Sequence, residues 1–359
     1  MSASSAPAVA GRDRTPRSRS ARQPLILAGL GLALLVAVVV SSGIGPVPVP
    51  VGTTARILWA HLTPGEHVAS WSLAQDQIVW EFRLPRTLLA ATVGAALAVA
   101  GAVLQAVIRN PLADPFVLGA SSGASLGAVA ALAAGAVVPG LVVSGAAFSG
   151  AAVAAVLVFV LAQRGGRVES LRLVLAGVAL SYLFSAATSW ITVTAEHGKL
   201  PGLVFFLLGS VSSATWQMLA IPVLIVLACV VHALLRVGPL NAVMTGDETA
   251  TSLGVDVSRF RIEMLIATSL LTGAVVAVSG GIGFVGMVVP HICRLAIGAD
   301  HRRLIPVVTL GGAIFLVAVD VVARTAAAPQ ELPIGIVTAA IGAPFFLWLL
   351  RRRSAGGLQ

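Results

Sequence analysis

The chain is 359 residues long, 57% hydrophobic and only 10% charged, with a mean hydropathy of +0.97. An average soluble domain carries roughly a quarter charged residues, so a water-soluble enzyme with a solvated surface is excluded. The formal net charge is +9, from 23 basic and 14 acidic residues, but the basic residues lie in short clusters between long apolar runs. That scatter excludes a nucleic-acid-binding face.

Residues 1–23 are rich in Ser, Ala, Pro and Arg without apolar periodicity, and read as a disordered cytoplasmic tail. A cleaved signal peptide is the competing reading; the following apolar run is long for a signal, and no A-x-A site follows it. A helical span needs about 20 mostly apolar residues. Ten candidates follow, near 24–45, 84–108, 116–136, 139–163, 171–194, 214–235, 262–280, 284–298, 304–323 and 334–350. Backbone in lipid must satisfy its own hydrogen bonds, so helices are expected at these lengths. The alternating segments of about ten residues that mark a β-barrel do not occur. The expected fold is therefore an all-α polytopic membrane protein of ten transmembrane helices over residues 24–353, with 354–359 a C-terminal tail.

Ten spans put both ends on one side, and Lys and Arg placement names the side. Arg12, Arg14, Arg17, Arg19, Arg22, Arg109, Arg164, Arg167, Arg172, Arg236, Arg259, Arg261, Arg294, Arg302, Arg303 and Arg351 to Arg353 fall in inner segments, 18 of the 23 basic residues. Only Arg56, Arg83, Arg86, Lys199 and Arg324 fall outside. Both termini are expected in the cytoplasm. Residues 46–82 form the largest outer segment, with Trp59, Trp71 and Trp80 suited to the interface.

Small residues let helices approach closely in lipid. Gly119, Gly123 and Gly127 form one such face, and Gly94, Ala98 and Ala102 another. Gly280, Gly281, Gly283 and Gly286 suggest a broken helix or tight turn. Ser181, Ser185, Thr188 and Thr192 fall on one face of the fifth span. Two readings of that stripe stay open: a wall of a water-filled path, or hydroxyls bonded to backbone carbonyls of a packed helix. Asp320 and Arg324, at i and i+4, are placed to pair with each other. Cys229 and Cys293 lie in apolar runs and form no metal-ligand spacing.

No catalytic constellation is present, and the chain is not expected to be an enzyme. Its only lysine, Lys199, stands between Gly198 and Leu200, so no Walker A motif exists. No metal site is expected. The longest inner segment, about 236–261, contains GDETATSLGVDVSRFR. Gly246, Asp247 and Glu248 start a short helix with its acids toward the positive dipole end. Ala250 and Leu253 are expected on one side of it, and Gly254 as its C-terminal stop. Such a helix either rests on the membrane surface or is pressed by a cytoplasmic partner.

Five stretches carry a family likeness. RLPRTLLAATVGAALAVAGAVLQAVIRNPLADPFVLGASSGA (83–124) resembles the signature of FecCD-type permeases of ABC importers. GDETATSLGV (246–255), SGGIGFVGMVVPHICRL (279–295), DHRRLIP (300–306) and ELPIGIVTAAIGAPFFLWLL (331–350) are similar to the same family in the same order. The resemblance implies the type II importer fold, a homodimer with a central path, two cytoplasmic ATPase subunits that bind ATP and Mg, and an extracytoplasmic substrate-binding protein. It implies residence in the cytoplasmic membrane of a bacterium, with no cofactor bound by this chain.

Residue by residue, the resemblance makes Gly246, Asp247, Glu248, Ala250, Leu253 and Gly254 the ATPase-coupling segment. Arg83, Arg86 and Arg324 match arginines that dock the binding protein. Asn110 and Leu112 match a cytoplasmic gate, with Ser170 and Leu171 the second gate; Glu169-Ser170-Leu171 departs from the small hydroxyl residues of the cobalamin permease there. The fifth span lines the path in the family, which assigns Ser181, Ser185, Thr188 and Thr192 to it. The implied cargo is a ferric siderophore, with haem or cobalamin as the alternative. An ion-coupled secondary transporter is the remote alternative, lacking the expected inverted repeats and midplane acids.

Overall fold

The computed structural model describes residues 23–65, 70–136, 141–164, 167–168 and 170–356. Each of the ten apolar segments holds a helix. In chain order the main helices are α1 (Gln23–Gly43), α2 (Val51–Leu62), α3 (Leu73–Gln77), α4 (Leu84–Ile108), α5 (Ala120–Ala133), α6 (Leu141–Ala162) and α7 (Ser170–Thr194). They continue as α8 (Leu200–Leu208), α9 (Trp216–Leu235), α10 (Val237–Thr245), α11 (Asp247–Ser252), α12 (Val257–Ser279), α13 (Val285–Ile297), α14 (His301–Thr325) and α15 (Ile334–Gly356). The sole extended pairing among the described residues is two residues per strand, Gln163–Arg164 against Arg167–Val168.

Seven helical stretches among the described residues are long and apolar enough to cross a bilayer; α5, α13 and the last helix's apolar part, Ile334–Leu349, are shorter. Two features lay outside the hydropathy expectation. The outer segment 46–82 is not a loop: it contains α2, whose Thr54, Ile57 and Leu58 are buried at i, i+3 and i+4. A further apolar helix spans His197–Leu208. The last helix runs on to Gly356, through the start of the expected C-terminal tail.

At the centre stands α4, with 83% of its apolar window buried against its neighbours, whereas α1 is 11% buried and peripheral. A π-helical turn, Ile78–Arg83, leads into α4, where Pro85 cannot donate a hydrogen bond back into the preceding turn. Lipid offers no hydrophobic drive between helices, so contact depends on how closely backbones approach. A Cβ on Gly94 would lie 2.1 Å from the carbonyl oxygen of Gly312 in α14, and one on Gly101 would lie 1.9 Å from that of Gly286 in α13. The small face of α5 meets α6 in the same way, through Gly123 and Gly127. Gly119 instead caps a 3₁₀ turn with φ 78°. The glycine cluster after α12 is indeed a chain break, for Gly280 takes φ 65° and α13 begins five residues later.

Candidate functional site

One end of the bundle joins three sequence motifs. Helix α4 ends at Arg109 in the left-handed region, φ 54°, and the chain turns through Asn110, whose side-chain oxygen accepts from the Leu112 amide at 3.0 Å. Asn110 is exposed and Leu112 half-buried. Gln105 anchors this loop by donating to the carbonyls of Ala113 (3.3 Å) and Gly286 (3.0 Å). Arg294 in turn donates to the Gln105 side-chain oxygen. Asp114 caps the 3₁₀ turn by accepting from the Phe116 amide at 2.9 Å. Burial pushes its carboxyl up to about 6, against the lowering effect of that amide.

The short helix α11 lies against the same loop. Asp247 Oδ1 accepts from Arg109 Nη2 at 3.1 Å and from Arg261 Nη2 at 3.0 Å. One carboxylate thus ties α11 to the end of α4 and to α12. The Arg261 side chain is only 9% exposed, and its Nε has no other partner among the described residues. Ala250 is fully buried, whereas Leu253 is 67% exposed and Glu248 faces solvent. Ala250 and Leu253 therefore do not share a face as expected, because the helix ends at Ser252 and Leu253 turns outward as the cap residue. Gly254 follows with φ 82°, as the stop expected of it. Gly246 precedes the helix with φ 128°.

The hydroxyl stripe of α7 divides. Thr188 donates to the Phe184 carbonyl and Thr192 to the Thr188 carbonyl, each at 2.8 Å. The Ser181 hydroxyl is buried without a hydrogen-bond partner among the described residues, and Ser185 is exposed. The face of α7 that packs against nothing carries Leu171, Leu175, Val178, Tyr182, Ser185, Ser189 and Val193, a spacing of three or four residues that forms one helical stripe. Of these, Tyr182 is 76% exposed and Leu171 is 71% exposed. The Ser170 side chain lies outside the described residues. Among the described residues no group of three or more His, Cys, Asp or Glu is placed to hold a metal.

At the opposite end Arg83, Arg86 and Arg324 converge, all buried. Arg83 donates to the carbonyls of Ser42 and Gly43 at the end of α1 and of Val47 just beyond it. Arg86 pairs with Asp320 at 2.9 Å and with Glu331 at 2.7 Å. Arg324 pairs with Asp320 at 3.0 Å and donates to the carbonyls of Ser41 and Ile44. Asp320 and Arg324 thus pair as the i, i+4 spacing suggested, with Arg86 as an added partner from 234 positions away. Three arginines and two acids leave this cluster at 3 − 2 = +1. Sequence reasoning missed Gln105, Asp114, Arg261 and Glu331; of these Asp114 and Gln105 lie inside the 83–124 signature, but their bonds cross elements far apart in sequence.

A family model described as the FecCD transport family matches residues 33–352. Over 283 residues the chain is 44% identical to the cobalamin import system permease protein BtuC of Halobacterium salinarum, covering 78% of this chain and 75% of that one. It is 43% identical over 289 residues to the vitamin B12 import system permease protein BtuC of Vibrio cholerae, covering 79% and 86%. To the hemin transport system permease protein HmuU of Yersinia pestis it is 39% identical over 291 residues, covering 79% and 87%. Among solved structures, a metal-chelate type ABC transporter in an inward-facing conformation matches with TM-score 0.80 and 34% identity, covering 92% of this chain and 99% of that one.

Proposed function

Because the chain belongs to the FecCD transport family, and is thus a multi-pass permease of the ABC-importer type that works with separate ATPase and binding-protein partners, we propose that it imports a large metal chelate as one half of a homodimer. Ten crossings with both termini in the cytoplasm are proposed with it, supported by the 18 basic residues assigned to the inner side. ATP and Mg would be held by the ATPase subunits. The observation that carries the reading is α11, which offers Glu248 and Leu253 outward while Asp247 holds the Arg109 end of the gate loop.

In this reading an ATPase groove receives α11 and its movement reaches Asn110 and Leu112 through Asp247 and Arg109. Leu171, and Ser170 beside it, form the second constriction at the start of α7. The path wall is the unpacked stripe of α7, with Ser185 on it; Ser181, Thr188 and Thr192 stand behind, the two threonines bonded to carbonyls of their own helix. A wall of mixed apolar and hydroxyl groups offers a chelate contact without a strong ligand to hold it.

Arg83, Arg86 and Arg324 are proposed to serve the binding protein from beneath the surface. A partner carboxylate reaches Arg86 by replacing Glu331, whose side chain is 32% exposed. The cargo classes are ferric siderophore, haem and cobalamin. The names of the relatives favour cobalamin and haem, while the departure at Glu169-Ser170-Leu171 weighs against cobalamin.

The test is transport by the permease–ATPase complex in liposomes, with its binding protein outside. ATP-dependent accumulation of one chelate class, competed by none of the other two, is expected. Accumulation driven by an ion gradient without ATP would overturn the proposal.

A further inference from the structure

At the inner end of the bundle, away from α11, a cavity of about 380 Å³ opens between the start of α1, the end of α13 and the first turns of α14. Its lining includes Gln23, Ile26, Arg294, Leu295, Ile297 and Arg303. Among the described residues neither arginine makes a hydrogen bond or ion pair with a carboxylate, unlike Arg86 and Arg324 at the other end. Arg294 donates only to the neutral Gln105 side chain. Arg303 makes no side-chain hydrogen bond or ion pair among the described residues. Its acidic neighbour Asp300 feels the charges of both Arg303 and Arg302 but spends its hydrogen bonds on the Asn241 amide at 2.9 Å and the Arg302 backbone at 3.0 Å. Two guanidinium groups lining one cavity, neither hydrogen-bonded to a carboxylate among the described residues, suit an anion, and Arg suits the oxygens of a phosphate.

The surroundings specify which anion. Beside the arginines the wall is apolar, and it continues onto side chains that no described residue covers: Leu25 is 73% exposed, Leu295 71% and Ile292 49%. Helix α1 buries only its last residues, Ser41 to Gly43. A free phosphate has no use for this flank, whereas the acyl chains of a lipid would cover it. We propose that this cavity binds the headgroup of an anionic phospholipid of the cytoplasmic leaflet, with its chains lying along α1 and α13. The proposal rests on the inward orientation of this end, as read above, and basic pockets between transmembrane helices on that side are built for such headgroups.

The test uses the whole permease–ATPase complex, with bound lipids counted by native mass spectrometry during titration with phosphatidylglycerol or phosphatidylcholine. Wild type is expected to retain phosphatidylglycerol preferentially. Each basic residue near the surface contributes about 1 kcal/mol, so Arg303→Gln should weaken retention about fivefold, and Arg303→Gln with Arg294→Gln about thirtyfold. Arg294→Lys keeps the charge and should keep most of the preference even if the Gln105 contact is lost. Arg302→Gln, exposed and outside the lining, should change nothing. Equal retention of the two lipids by wild type, or unchanged retention in Arg303→Gln, overturns the proposal. Displacement of the lipid by millimolar inorganic phosphate would overturn it in favour of a free-anion site. Retention is read without transport, so a complex that keeps its lipid preference but moves no chelate would sink the functional reading instead.

Discussion

Replacing Asp247 by Asn removes one negative charge and leaves the side chain's size unchanged. Two guanidinium groups lose their counter-charge, and they are not equivalent. The Arg109 pair is open to solvent, with side chains 40% and 42% exposed, and such pairs contribute about 0–1 kcal/mol. Arg261 is 9% exposed, and hydrogen bonds to a charged group in such a setting contribute about 1.5–3 kcal/mol. Discounting for the solvent that reaches Asp247, and for the neutral hydrogen bond that Asn keeps, the tether loses about 2 kcal/mol. At about 1.4 kcal/mol per tenfold, α11 should leave its seat on α4 and α12 roughly 30-fold more often, giving up its hold on the loop each time. The assay is ATP hydrolysis and chelate uptake by the reconstituted complex, with and without loaded binding protein. Basal hydrolysis should persist, while stimulation by the binding protein and uptake per ATP should fall together, by about tenfold or more. Glu248→Gln, which touches neither arginine but faces the ATPase, should instead weaken docking and lower basal and stimulated hydrolysis together. Asp247→Asn with wild-type uptake per ATP would refute the reasoning.

Other outcomes follow from the same geometry. Gly101→Ala should cost at least about 1–3 kcal/mol, because its Cβ would meet the Gly286 carbonyl at 1.9 Å; the apparent Tm of the purified complex measures it. The Asp114 carboxyl, raised in the fold to about 6 from 3.8, favours folding below the lower value, and that contribution is lost as pH rises through about 6. Asp114→Asn should therefore stabilise the fold at pH 7.5 by at most about 3 kcal/mol, at 1.36 kcal/mol per unit, read as a raised apparent Tm, with the advantage shrinking toward pH 4. Glu331→Gln should tighten binding-protein docking, read as a lower half-saturating concentration in the ATPase assay, since it removes the acid that occupies Arg86.

The helices were legible because their signal is compositional: a run such as 216–235 has no other stable form in lipid. α2 carried an amphipathic pattern in Thr54, Ile57 and Leu58, but a search for spans passes over 12 residues. The candidate site was legible as motifs rather than as bonds. Asp247 could be placed at a helix start by its dipole preference, yet its hold on Arg109 depends on two chain segments 138 positions apart. The exposure of the three outer arginines was beyond reach for the same reason: sequence places Arg86 on the outer side, but only the fold brings Asp320 and Glu331 to it. Likewise the polar stripe of α7 was visible as a period, while which side of that period packs was set by the Gly119 turn and α5.

The backbone-to-backbone contacts of Gly94 with Gly312 and Gly101 with Gly286 have a mechanical meaning. Side chains can slide by changing rotamer, but two backbones touching through glycine have nothing soft between them. Helices α4, α13 and α14 therefore form one rigid block, and in the proposed transport cycle α4 would be the fulcrum of opening and closing. Displacement then belongs to the loosely packed α7, the gate loop and α11, where a pull at one end swings the wall at the other.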